Sequence, residues 1–209
     1  MAQYLKTAPS RRQFFSRIVP ACALTCFGCS DVFASALSGQ GKSDSKEIHP
    51  FQEELSVTYQ RLFEFRFQSN FIPIFKAIEK DVGKENLLEM VKKASSKNNK
   101  ELGQRIAKRS PANDLRNFAE PLRNPRDIFK HANIYEIVED SETAFEMEVT
   151  ECLTAKVFRE SDAADIGYAA VCHADFALPE GFNPKIKLIR TKTLMQGHDC
   201  CNHRYILQG

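Results

Sequence analysis

The stretch Ile134–Thr150, IYEIVEDSETAFEMEVT, decides how the rest of the chain is read. Phe145, Met147 and Val149 alternate with Glu146, Glu148 and Thr150. A period of two sends one set to a buried face and the other to water, the pattern of a half-buried strand. Ile134, Tyr135, Ile137 and Val138 form a second strand-like run just before it, and Asp140-Ser141-Glu142 supplies turn chemistry between them. A hairpin is therefore predicted.

Upstream the period is helical. Phe51, Leu55, Tyr59, Leu62, Phe63 and Phe67 recur every three or four residues, an amphipathic stripe. Pro73, which lacks a backbone donor and crowds the turn before it, is predicted to kink or end that helix near Ser69-Asn70. The stripe resumes at Ile74, Phe75, Ile78 and Val82 and stops at Gly83. A second helix runs from Glu85 to about Arg109, with a polar middle, Ser95–Lys100, predicted to fray. Pro111, Pro121 and Pro125 then divide Ala112–His131 into short helical pieces.

Downstream, Cys152–Asp175 reads as helical with a break at Ser161-Asp162, and Pro179, Gly181 and Pro184 read as a loop. Two final strands, Lys185–Leu194 and Cys200–Leu207, are joined by a turn at Gly197-His198-Asp199. The predicted class is α+β. An N-terminal helical half precedes an antiparallel sheet of about four strands in two hairpins, with helices inserted between them and packed on one face. Sixteen Phe and no Trp predict a Phe-rich core. No internal repeat, GxGxxG, P-loop or HExxH occurs.

The N-terminus reads differently. Ser10-Arg11-Arg12-Gln13-Phe14-Phe15 is a twin-arginine sequence leading into an apolar run, Ile18–Phe27, too short to span a bilayer as a helix. The expected organisation is a Tat-type signal over 1–36, a flexible Gly/Ser/Lys-rich linker over 37–46 and a single α+β hydrolase-like domain over 47–209. Ala34-Ser35-Ala36 is a small-residue cleavage site, and Cys29 after Gly28 offers the alternative of a lipid anchor. The expected location is periplasmic or otherwise extracytoplasmic, with the Tat translocase as a partner during export and a membrane association only on lipidation at Cys29. Lys6, Arg11, Arg12 and Arg17 against Asp31 make the signal strongly basic and leave the remaining chain slightly acidic. No basic excess then points to nucleic acid, and a small-molecule partner is expected.

Four cysteines fall outside the signal: Cys152, Cys172, Cys200 and Cys201. In an oxidising compartment they read by default as two disulfides, but Tat substrates are exported folded, so the thiols are equally candidates for metal ligands or a catalytic group. The stretch Arg190–Tyr205, RTKTLMQGHDCCNHRY, concentrates the reactive side chains. On a strand from Cys200, residues Cys201, His203 and Tyr205 share one face and Cys200, Asn202 and Arg204 the other. A disulfide between the adjacent cysteines is discounted for that reason. Cys201 with His203 admits three readings: a thiol–imidazole nucleophile, two ligands of a metal completed by Cys152 and Cys172, or a buried Cys beside an edge His.

From about Tyr135 to Tyr205 the chain resembles the L-2-amino-thiazoline-4-carboxylic acid hydrolase family. The residues that carry the resemblance are Glu151-Cys152, Cys172 with Asp175, Phe182-Asn183-Pro184, Arg190–Leu194 (RTKTL), Gly197 and Cys201–Tyr205 (CNHRY). Family members more often carry an acidic and an aromatic residue where this chain has Asn202 and His203. The resemblance implies hydrolytic opening of a cyclic amidine, 2-amino-thiazoline-4-carboxylate, to N-carbamoyl-cysteine, a reaction at a non-peptide C–N bond. It needs attack at the ring carbon between sulfur and nitrogen, a proton for the departing atom and a cation for the carboxylate. Expected catalytic residues are Cys201, Asp175, His203 and Asp199; Arg190 or Arg204 is expected to hold the carboxylate; and Cys152, Cys172 and Cys201 are a candidate site for zinc or another divalent metal that activates water. The alternative is a non-enzymatic exported module that binds a small ligand or a metal, its cysteine cluster structural.

Overall fold

A computed structural model of the chain describes residues 57–125 and 128–209. The expected signal and linker, and the apolar positions Phe51 and Leu55, lie outside the described residues. The class is α+β: helices first, then a four-stranded antiparallel sheet with helices between its two halves.

The first helix, α1 (Tyr59–Arg66), starts at Thr58, whose hydroxyl accepts the Arg61 N–H. It passes through a π-turn at Phe67–Phe71 into α2 (Ile72–Val82). The disturbance expected from Pro73 is thus a widened turn just before it, with the proline in the first turn of α2, where its missing N–H costs little. Gly83, at φ 81°, ends α2 in a conformation that only glycine adopts freely.

The long helix α3 (Lys84–Arg109) is continuous through its polar middle. Ser95, predicted to fray, is buried and its hydroxyl donates to the Ala169 carbonyl at 2.8 Å. Tertiary contact overrides the weak local propensity.

After α4 (Leu115–Arg123), which contains Pro121, and the short α5 (Ile128–Ala132) come β1 (Asn133–Asp140) and β2 (Ala144–Cys152), the predicted hairpin. The next segment is helical in pieces: α6 (Leu153–Glu160), α7 (Ala164–Gly167), a π-turn at Tyr168–Cys172 and a 3₁₀ turn at His173–Phe176. It continues into α8 (Ala177–Phe182), where a loop was predicted. Gly181 belongs to α8 because this helix lies directly on α3: a Cβ on Gly181 would strike the Lys100 backbone, and one on Gly103 the Leu178 carbonyl. The last strands are β3 (Ile186–Ile189) and β4 (Cys201–Leu207), and the sheet order is β1-β2-β4-β3.

Strand alternation holds. Phe145, Met147 and Val149 are buried on β2, as are Cys201, His203 and Tyr205 on β4, and α4 and α8 cover that face. The core is Phe-rich: Phe118 packs on Phe182 and Tyr205, at ring separations of 5.4 and 5.0 Å, and Phe158 packs on Phe67 and Phe71. Each fully buried ring contributes about 1.5–3 kcal/mol of transfer free energy. On the opposite face Arg204 bridges Glu139 and Glu146. Among the described residues no helix is long and apolar enough to cross a membrane.

Candidate active site

β3 ends at Ile189, five residues earlier than the sequence suggests. The side-chain carbonyl of Asn202 accepts the N–H groups of Thr191 and Lys192 at 3.1 and 2.7 Å, so those groups are satisfied without a strand partner. Thr193 then caps a 3₁₀ turn, Leu194–Gln196, and Gly197 at φ 91° closes it. Asn202, one of the departures from the family pattern, therefore shapes this corner.

Arg190 sits at the corner with a side chain 1% exposed. Its Nη1 donates to Asp175 Oδ2 at 2.7 Å and lies 3.1 Å from His203 Nε2; its Nη2 donates to the Cys172 carbonyl at 2.7 Å. The Phe176 ring lies beneath the guanidinium, 4.9 Å from Cζ. The π-turn and the 3₁₀ turn after it bring the Cys172 carbonyl and the Asp175 carboxylate to the same cation. Burial opposes the charge on Arg190, but Asp175, Cys172 and Tyr168 together outweigh it, and the guanidinium pKa stands above its ordinary value.

A guanidinium has only donors, so His203 Nε2 must accept and the imidazole proton must sit on Nδ1. That Nδ1 is buried and has no hydrogen-bond partner among the described residues. A donor left in this way is poised for an acceptor that enters the site. Asp175 Oδ2 is 3.6 Å from the same Nε2, and its side chain is 32% exposed, so solvent reaches the network from the carboxylate side.

Cys152, Cys172 and Cys201 converge beside this network, near enough that charge on Cys152 or Cys201 would raise the pKa of Cys172. Cys201 Sγ accepts the Leu194 N–H at 3.1 Å, and Cys152 Sγ caps α6 by accepting the Ala155 N–H at 3.5 Å. Burial is the main cause in pushing all three thiols up, Cys201 to about 11. They are protonated thiols at neutral pH, and Cys200 is shifted in the same direction. All four cysteines are free, so the default expectation of two disulfides does not describe this structure.

The metal expectation does not fit the donor set. Among the described residues no group of three or more His, Cys, Asp or Glu side chains is arranged to hold a metal ion, and Arg190 places a cation beside Cys172 and Cys201.

Two expected residues lie apart from the network. Asp199 is on the exposed turn and pairs with Lys192 at 3.1 Å. Arg204 points to the other face of the sheet, as alternation requires, and is engaged by Glu139 and Glu146. Arg190 belongs to the network, but its donors go to Asp175, His203 and Cys172. Phe176 and the Cys172 carbonyl are not legible in the sequence, since neither a ring beneath a cation nor a backbone acceptor has a sequence signature.

A wide cavity of about 730 Å³ is lined by Cys152 together with Lys130, Lys156, Arg159 and Leu194.

A family model described as L-2-amino-thiazoline-4-carboxylic acid hydrolase matches residues 60–205. No curated protein matches the chain. Similar solved structures include a trafficking protein particle complex subunit 3 from Naegleria fowleri covalently bound to palmitic acid, at 12% identity and a TM-score of 0.42, covering 72% of this chain and 95% of that one. Another is the phenol-responsive sensory domain of the transcription activator PoxR with phenol, at 12% identity and a TM-score of 0.38, covering 65% and 71%.

Proposed function

The chain belongs to the L-2-amino-thiazoline-4-carboxylic acid hydrolase family, and from that premise we propose that it is a hydrolase opening a small cyclic amidine of the 2-amino-thiazoline-4-carboxylate type. The observation that carries the reading is the buried Arg190–Asp175–His203 network with its unpartnered Nδ1.

Stoichiometry sharpens the chemistry. N-carbamoyl-cysteine keeps both amidine nitrogens, so the bond broken is the ring C–S bond rather than a C–N bond. Water adds its oxygen to the ring carbon, and the sulfur leaves as a thiol carrying a proton. Asp175, at the solvent-reached end of the network, takes the proton of the attacking water. His203 donates a hydrogen bond from Nδ1 to the ring nitrogen, which takes up the proton Asp175 removed from water; when the adduct collapses, its hydroxyl proton passes through Asp175 to the departing sulfur. Arg190 holds both groups and is a positioning residue. Cys201 and Cys172, held as thiols, wall the site; direct attack by Cys201 would first require a base to remove its proton.

The test is incubation of the purified protein with 2-amino-thiazoline-4-carboxylate, following release of a new thiol and the mass of the product. Turnover that falls by about 10²-fold or more in Asp175→Asn and His203→Gln supports the reading. Absence of thiol release from this substrate and from related cyclic amidines removes it. A covalent adduct on Cys201 during single turnover would replace water attack by thiol attack. Export by the Tat route remains part of the proposal, resting on Arg11-Arg12 and the apolar run after it; fractionation of cells carrying Arg11→Lys and Arg12→Lys together tests it.

A further inference from the structure

The proposed reaction needs a cation for the substrate carboxylate, and Arg190 is already committed to Asp175, His203 and Cys172. The cavity beside Cys152 offers a different place. Lys130, Lys156 and Arg159 line it, against the carboxylates Glu151 and Glu160. Among the described residues neither Lys130 nor Lys156 is within ion-pair distance of a carboxylate, although Lys156 lies near enough to Glu64 to lower its pKa, whereas Arg190 and Arg204 are both paired. Arg159 reaches across to the Leu194 carbonyl at 3.3 Å, tying α6 to the segment whose next contact is the Leu194 N–H on Cys201 Sγ. Cys152 lines the cavity and also packs with both core clusters, one containing Cys201 and the other bordered by Cys172.

We infer that this cavity is the binding pocket for a small carboxylate anion, with Lys156 and Lys130 as its countercharges and Cys152 as the lining thiol that reports its occupancy. The inference rests on the hydrolase reading for the identity of the anion, but not for the existence of the pocket. An exposed lysine on each of two elements, α5 and α6, flanks an opening large enough for a substrate of this size, and the excess of cations over acids there favours an anion.

The experiment reads Cys152 itself and needs no turnover. The protein is treated separately with iodoacetate and iodoacetamide, and alkylation of Cys152 is followed by peptide mass spectrometry. The ratio of the two rates cancels the thiolate fraction and reports only the preference for charge, with glutathione as the reference. The expected result is a ratio at Cys152 about fivefold above that of glutathione, lost in Lys156→Glu and reduced by about 0.5 M salt. Substrate with its carboxylate should protect Cys152 better than 2-aminothiazoline, which lacks it. A ratio equal to that of glutathione, or no alkylation of Cys152 by either reagent, overturns the inference. A high ratio in a protein without hydrolase activity keeps the anion pocket and removes only the hydrolase reading. Because Lys156 is exposed, its substitution leaves the fold intact.

Discussion

Arg190 and His203 meet at 3.1 Å through Nη1 and Nε2, a contact in which only the imidazole is able to accept. The histidine proton is thereby assigned to Nδ1. Nitrogen-15 spectra of labelled protein at neutral pH should show His203 as the Nδ1–H tautomer, and Arg190→Met should release that preference toward the commoner Nε2–H form. A wild-type spectrum of the Nε2–H form would contradict the contact.

Arg190 and Asp175 are also a stability pair. Removing one partner of a buried ion pair costs about 3–5 kcal/mol because the other is left uncompensated. Asp175 is one-third exposed, so solvent screens part of that cost, and Asp175→Asn should destabilise the fold by about 1–2 kcal/mol. Chemical denaturation of the variant and the parent measures the difference.

The raised thiols give stability a definite dependence on pH. Cys201 moves from 9.0 to about 11, and Cys172 moves in the same direction. Between those values the unfolded chain loses its thiol proton and the folded chain keeps it. The unfolded state then binds fewer protons, and stability falls as pH rises. The contribution is fully present below about pH 9 and is lost as pH climbs through about 11. Denaturation midpoints across this window should drop in the parent and drop less in Cys201→Ser.

Asp199 and Arg204 provide the controls. Both sit away from the network, on the exposed turn and on the opposite sheet face. Asp199→Asn and Arg204→Gln should leave kcat/KM for the thiazoline within about twofold of the parent, as exposed substitutions do. A loss of a hundredfold in either would mean that the site extends to that side of the sheet.

The metal question has its own measurement. Turnover of protein dialysed against a strong chelator should match that of untreated protein, because the described donors do not form a metal-holding group. Activity lost on chelation and restored by zinc would reinstate the cysteines as ligands.

The seam between α3 and α8 makes a packing prediction. Gly103→Ala pushes a methyl group into the Leu178 carbonyl and the Phe182 amide region. Because backbone atoms have nowhere to yield, the cost should reach about 2 kcal/mol, read as a lowered Tm.

Much of this architecture was legible in particular residues. The alternation of Phe145, Met147 and Val149 located the central hairpin, since burial on one face of a strand requires that period. The same rule sorted Cys201 and His203 from Arg204, and it explains why Arg204 cannot reach the network. The α-helical character of Ala177–Phe182 was hidden, because Pro179 and Gly181 read locally as turn residues while the glycine actually serves a close approach to Lys100.

By itself, then, the sequence determined the class, the strand faces and the family. These depend on periods and motifs that neighbouring residues carry along the chain. Only the tertiary structure decided that Arg190 is buried and spent on Asp175, His203 and the Cys172 carbonyl, and that the thiols stay protonated. The physical reason is that charge compensation and desolvation depend on which groups meet across long sequence separations. Asp175, Arg190 and His203 come together only because a π-turn, the strand β3 that ends at Ile189 where Asn202 takes up the next N–H groups, and the central strand β4 meet at one corner.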